Sequence, residues 1–312
     1  MKDLFQNLAT VGVFLSTALA HAESPSPAPL SEWTTFLTAE QVAQKTSDPR
    51  TILVDVRQAE AYLAGHLPGA INLPGSFWRT PKASPGEGDS QYLFRREDGT
   101  ADVARYERFL GEAGIAHDSP VIIYGNHAGK TDGTIPAMIL DWLGHESVYF
   151  LDGLGAEEWT AAGFALSQSP SVREATTYHA TPKADFVWNL DQVLAHLRDP
   201  DVLFIDTRSL AEYTGDEKRS NAHGGHIPGA IRLDYLDHLE EDSKRVLPPA
   251  QILASLEERN IDRQKTLVLY CQTSTRVSLL ALALGDLGFP KVAVYDASWH
   301  EYGNRSDTPI AR

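Results

Sequence analysis

The stretch TLVLYCQTSTRVSLLALALGDLG, residues 266–288, decides the architecture. It opens on TLVLY, a short apolar run of strand length, and closes on RVSLLALALGDL, whose apolar side chains recur at the three-and-four spacing of a helix. Between them lies a small polar loop, QTST, and the chain's one cysteine, Cys271, stands where the strand gives way to the loop. Strand, loop and helix in that order predict a parallel strand covered by helices. A lone thiol there is either a small buried hydrophobe or the residue around which the site is built.

The same grammar recurs through the chain. VIIYG (121–125) matches LVLYC (267–271), which sets Gly125 opposite Cys271, and SVYFLDG (147–153) matches KVAVYDA (291–297). TILVDVRQAEAYLAGHLPGAINLP (51–74) returns as VLFIDTRSLAEY and GGHIPGAIRLD between 202 and 234, so that Asp55 and Arg57 answer Asp206 and Arg208. The copies lie half a chain apart, which is duplication of a whole domain and not a short solenoid repeat. Strands are expected at 51–55, 119–124, 147–151, 202–206, 266–270 and 291–295, and helices at 102–113, 134–143, 189–198, 249–259 and 276–287. The fold class is therefore α/β, with two domains, each a parallel sheet flanked by helices on both faces. Residues 31–166 form the first domain and 187–312 the second; the Ser-, Thr- and Pro-rich segment 167–186 between them reads as a linker.

At 312 residues the chain has room for two such domains. Its net charge of −15, with no cluster of basic residues, argues against nucleic-acid partners and anionic membranes. A small anionic substrate would need a local positive site against that general repulsion. The N-terminus carries a 13-residue apolar stretch, LATVGVFLSTALA, followed by the A-x-A site AHA at 20–22. Residues 1–22 are expected to be a cleavable signal peptide and 23–30 a leader, with the mature protein periplasmic and free of the membrane. In an oxidising compartment a single thiol has no intramolecular disulfide partner, so it is either inert or kept for its reactivity.

Ligands of open α/β sheets gather at the carboxyl ends of strands, where a loop runs into a helix N-terminus. Cys271 occupies that junction. The backbone amides of Gln272, Thr273, Ser274 and Thr275 are placed to cradle an anion, and the same field favours a thiolate. Arg276, at the end of the loop, is placed to fold back as a positive charge. Together these features favour the nucleophile reading of Cys271.

Here the chain resembles the tandem-domain rhodanese family of sulfurtransferases, the thiosulfate and 3-mercaptopyruvate type, over about residues 30 to 312. The motifs that carry the likeness are the two Asp-x-Arg and Gly-His-x-Pro-Gly-Ala segments, the CQTSTR loop and YDASWHEYGNRSDTPI at 295–310. The resemblance implies a catalytic second domain, a first domain without the nucleophile, and a persulfide on Cys271. It implies no metal and no organic cofactor. A small sulfur donor would load Cys271, Arg276 and the loop amides would stabilise the anion, and cyanide, a thiol or a protein thiol would accept the sulfur. It also implies a role for Arg208 among the substrate-binding residues and for Asp206 as structural support. His226 is expected to stabilise a turn. His127, Lys130, Arg79 and Arg95 of the first copy are expected on the solvated surface.

One position departs from the family. A substrate-binding Arg follows Asp-x-Arg by four residues in the thiosulfate and mercaptopyruvate members, whereas here that position is Glu212. A carboxylate there is expected to repel an anionic donor. Two other readings compete with transfer: a persulfide carrier or redox-binding module serving one partner protein, and a cysteine phosphatase. Phosphatase loops hold Arg six residues after Cys, and here Arg276 comes five after Cys271, which suits sulfur better than phosphate. GNHAGKT (125–131) resembles a phosphate-binding loop, but only three residues separate Gly125 and Gly129 where four are required.

Overall fold

The computed structural model describes residues 32–80, 92–127 and 129–312. The expected signal peptide and leader lie outside the described residues. The first half contributes strands β1 (Phe36–Leu37), β2 (Ile52–Asp55), β3 (Ile71–Asn72), β4 (Val121–Tyr124) and β5 (Val148–Leu151). The second contributes β6 (Val187–Trp188), β7 (Val202–Asp206), β8 (Ile231–Arg232), β9 (Thr266–Tyr270) and β10 (Val292–Tyr295). They form two five-stranded sheets, ordered β1-β5-β4-β2-β3 and β6-β10-β9-β7-β8, with every pairing parallel.

Helices α1 (Ala39–Lys45), α2 (Ala59–Ala64), α3 (Val103–Glu112), α4 (Thr131–Trp142) and α5 (Ala156–Ala161) belong to the first half. Their counterparts are α6 (Leu190–Ala195), α7 (Leu210–Thr214), α8 (Pro249–Glu258), α9 (Val277–Asp286) and α10 (Ser298–Tyr302). Strand alternation explains how both faces are covered. Ile52, Val54, Val121 and Ile123 pack with α3 and α4, while Leu53, Ile122 and Leu151 pack with α1, α2 and α5. The long strands appear within a residue or two of their expected bounds. The edge strands β1, β3, β6 and β8, two residues each, were not expected, because two residues carry no readable period. Helix α4 starts three residues before its expected start, since Thr131 and Asp132 are polar and join a turn that periodicity does not mark.

The halves share one apolar core. Met138 and Leu140 of α4 and Leu280 and Leu284 of α9 lie in a single buried cluster. At its centre the hydroxyls of Thr134 and Ser278 meet at 2.7 Å. Two buried carboxylates clasp the halves reciprocally. Asp296 accepts from the amides of Leu93 (2.9 Å) and Phe94 (3.3 Å), and Asp152 accepts from Val246 (3.0 Å). The segment 167–186 contains no helix or ladder strand, and it is pinned along the first half. Thr176 donates to Gly111 at 2.8 Å, Thr181 to Leu143 at 2.9 Å and Lys183 to Trp142 at 2.8 Å. Among the described residues no helix is long and apolar enough to span a membrane, and no group of His, Cys, Asp or Glu is arranged to hold a metal.

Candidate active site around Cys271

Cys271 follows the central strand of the second sheet and is fully buried, its side chain counted in the apolar core. What distinguishes the position is the loop after it. Ser274 takes a left-handed backbone (φ 55°), which bends the chain back before α9 begins. The bend is held from below by Ser298, itself left-handed at φ 54°. The Ser298 Oγ accepts from the amides of Cys271 and Ser274, each at 3.2 Å, and donates to the Tyr295 carbonyl at 2.9 Å. The Ser274 hydroxyl donates to the Asp296 carbonyl at 2.6 Å. From the same turn the Trp299 amide reaches the Cys271 carbonyl at 3.0 Å and the His300 amide reaches Gln272 at 2.9 Å. Sequence reading missed Ser298. The sequence offers only a small hydroxyl residue in DASWH, on the loop after the neighbouring strand, and only the fold brings it under Cys271.

The loop residues therefore divide. The Ser274 amide is bonded inward and is not available to a ligand, contrary to expectation, because Ser298 lies beneath it. The amides of Gln272, Thr273, Thr275 and Arg276 have no acceptor among the described residues, and these four residues are half-buried. The Gln272 side chain is occupied in a reciprocal pair with Asn221, at 2.9 and 3.1 Å, which ties the loop to the 215–224 segment. Asn304 donates to the same Asn221 oxygen at 3.0 Å.

Arg276 does not reach over the loop as an unshared cation. Its two terminal nitrogens fork onto Glu212, at 2.6 and 2.9 Å. Glu212 is 1% exposed and also accepts from Arg219 Nε at 2.8 Å and from the Ser209 hydroxyl at 3.1 Å. Burial would push the Glu212 carboxyl up, but the Arg276 fork, with Arg219 behind it, brings it down to about 2. Burial likewise opposes the charge on Arg276, and the Glu212 carboxylate and Cys271 sulfur hold it up. The expected repulsion by Glu212 is thereby corrected: its charge is held by two guanidiniums and not presented bare to a ligand.

Arg208 is also corrected. It is 1% exposed, clamped on Asp206 through Nε at 2.9 Å and Nη2 at 2.5 Å, and donates to the Gly225 carbonyl at 2.7 Å. Its guanidinium lies 4.4 Å from the Trp299 ring centroid. The first half builds the same clamp without a thiol. Arg57 holds Asp55 at 2.6 Å and the Gly65 carbonyl at 2.7 Å. A device present in both halves belongs to the fold and not to substrate binding. The histidines behave alike: His226 bonds the Tyr213 carbonyl at 2.9 Å and stacks on that ring, and His66 repeats this on Tyr62 at 2.8 Å.

In the first half a carboxylate of the chain occupies the place that the Cys271 loop leaves unfilled. Helices α4 and α9 end at left-handed glycines, Gly144 and Gly288, and Asp132 and Arg276 stand equally far before them. The Asp132 Oδ2 accepts from the amides of Asn126 (2.8 Å) and His127 (2.9 Å), so a carboxylate of the chain itself fills the anion position. A Cβ on Gly125 would lie 2.1 Å from that oxygen, which leaves no room for a side chain opposite Cys271. Lys130 and Arg95, expected on the surface, are drawn inward. Lys130 is buried, donating to the Gly153 carbonyl at 2.6 Å beside Asp152, and Arg95 lies 3.4 Å from Asp296. Both serve the carboxylates that clasp the halves, a use visible only once the halves meet. His127 is exposed and Arg79 half-buried. Gly129 faces Tyr235 of the second half: a methyl there would meet the Tyr235 hydroxyl at 3.0 Å and His127 Cε1 at 3.1 Å.

Two parallel α/β sheets sharing a core, with one cysteine on a strand-to-helix loop and its counterpart loop closed, define a duplicated, single-thiol α/β protein. The chain belongs to the rhodanese-like domain family, whose model matches residues 38–162 and 189–305. It is 31% identical over 270 residues to a thiosulfate sulfurtransferase of Azotobacter vinelandii, covering 85% of this chain and 93% of that one. It is 30% identical over 289 residues to a probable 3-mercaptopyruvate sulfurtransferase of Pseudomonas aeruginosa, covering 88% and 97%. Among solved structures it is similar to an anaerobic ergothioneine biosynthesis enzyme of Chlorobium limicola in complex with trimethyl histidine. That match has a TM-score of 0.75 and 25% identity, over 88% of this chain and 69% of that one.

Proposed function

We propose that the chain is a sulfurtransferase that carries sulfur as a persulfide on Cys271 and works in the periplasm after export. The observation that carries this reading is the loop of four amides with no acceptor among the described residues, beside the chain's one thiol. Homology to thiosulfate and 3-mercaptopyruvate sulfurtransferases supports a small sulfur donor and acceptor. In the first stroke the Cys271 thiolate attacks the transferable sulfur of the donor: the S–S bond of thiosulfate or the C–S bond of mercaptopyruvate breaks, and sulfite or the pyruvate enolate leaves with the bonding electron pair. In the second a thiophilic acceptor, cyanide or a thiol, attacks the outer sulfur and Cys271 departs as thiolate. The loop dipoles are set before reaction and lose nothing in reorganisation as charge builds on the sulfur.

The test is intact-mass spectrometry of the full chain after separate incubation with thiosulfate, mercaptopyruvate and cysteine persulfide. The expected result is a gain of about 32 Da, one sulfur atom, that cyanide removes and Cys271→Ala abolishes. No adduct from thiosulfate, mercaptopyruvate or cysteine persulfide would refute the reading.

A further inference from the structure

Glu212 and Arg219 stand outside the chemistry just described, yet they determine the charge around Cys271. Arg276 is the loop's one cation, and both its terminal nitrogens are held by Glu212. Arg208, the next cation below, is matched by Asp206. The pairs Arg276–Glu212 and Arg208–Asp206 are each neutral, and Arg219, which also lies 4.0 Å from Glu217, is the second cation on Glu212. Its side chain is 47% exposed, and it sits with a left-handed backbone (φ 53°) in the 215–224 segment, which has no counterpart between Ala64 and Gly65 of the first half. The remainder of the chain is strongly acidic.

Donors differ in how much negative charge they bring to this place. Thiosulfate is a dianion, so attack by the Cys271 thiolate gathers three negative charges and expels sulfite. An organic persulfide, R–S–SH, is neutral when protonated and monoanionic when ionised. Attack on its outer sulfur breaks the S–S bond, R–S⁻ leaves with the electron pair, and the proton remains on the transferred sulfur. That reaction gathers one negative charge, or two if the persulfide is ionised, and needs no oxidant or reductant.

We propose that Glu212, by holding Arg276, is a specificity-determining residue that turns the site toward organic persulfides and away from dianionic donors, with Arg219 sharing Glu212 and so setting how strongly Arg276 is neutralised. This rests on the reading of Cys271 as the persulfide carrier. Glu212 is a positioning residue: it acts through Arg276 and needs no contact with the donor.

The experiment measures the second-order rate of sulfur loading on Cys271, by mass, from thiosulfate and from cysteine persulfide, in the wild type, Glu212→Gln and Arg219→Gln. In Glu212→Gln, loading from thiosulfate rises about tenfold or more while loading from the persulfide stays within about threefold, the first change being roughly 1.4 kcal/mol. In Arg219→Gln, where Glu212 answers to Arg276 alone, thiosulfate loading falls at least about threefold and persulfide loading holds. Arg219 is half exposed, so that variant tests the idea even if Glu212→Gln does not fold. A thiosulfate rate that does not move in Arg219→Gln, or rates that fall together for both donors in Glu212→Gln, overturns the proposal. Adducts with an unmoved donor ratio defeat only this inference, whereas no adduct from thiosulfate, mercaptopyruvate or cysteine persulfide in the wild type defeats it together with the carrier reading.

Discussion

Replacing Ser298 tests whether the loop is preorganised as its geometry indicates. The Ser298 hydroxyl is the acceptor for two buried amides, those of Cys271 and Ser274. Ser298→Ala leaves both without a partner, at about 1–3 kcal/mol each, so a loss of roughly 2–6 kcal/mol of stability is expected. Ser274 keeps its own carbonyl acceptors at Tyr295 and Asp296, which confines the loss to the amides. Ser298→Gly removes the same acceptor but relieves the left-handed backbone, worth about 1 kcal/mol, and is expected to be the milder variant by that margin. Urea unfolding followed by tryptophan fluorescence measures both, alongside the rate of sulfur loading on Cys271. Loading is expected to fall about tenfold or more in each variant, since the amides beside Cys271 no longer hold one arrangement. An alanine variant within about 0.5 kcal/mol of the wild type, or a glycine variant no better than the alanine, would refute the reasoning.

Two further outcomes follow from the asymmetry and the buried groups. Gly125→Cys is expected to destabilise the protein by about 1–3 kcal/mol and to give no second sulfur adduct, because the Cβ meets the Asp132 carboxylate; combining it with Asp132→Ala should recover stability, as calorimetry would show. His145 is pushed by burial down to about 4, wedged between the Ser119 carbonyl and the Tyr178 hydroxyl. In the unfolded chain it takes a proton near pH 6.5 and in the folded chain only near 4, so stability is lost as pH falls through that window. The slope should approach about 1.4 kcal/mol per pH unit and flatten in His145→Asn, measured by urea unfolding across that range.

Much of this architecture was legible in one dimension because the physics behind it is local. VLFID and TLVLY read as buried parallel strands since both faces are covered and no polar alternation interrupts them. Duplication was legible because Asp-x-Arg and His-x-Pro-Gly are the same clamps in both halves. Gly125 opposite Cys271 already separated the half with a thiol from the half without one.

Whatever depended on partners distant in the chain was decided by tertiary structure. Glu212 and Arg276 lie 64 positions apart, so a residue that reads as a lone repulsive carboxylate becomes the clamp of the loop's only cation. Ser298 carries no distinguishing mark in the sequence until β10 runs beside β9 and brings it beneath Cys271. Lys130 reads as surface until the halves share a core and Asp152 draws it inward. Pattern along the chain marked the six longer strands, the duplication and the position of the thiol, because propensity and periodicity act between neighbours. Only the folded chain decided the charge around that thiol, because electrostatics and hydrogen bonding depend on distance in space, which the order of residues does not state.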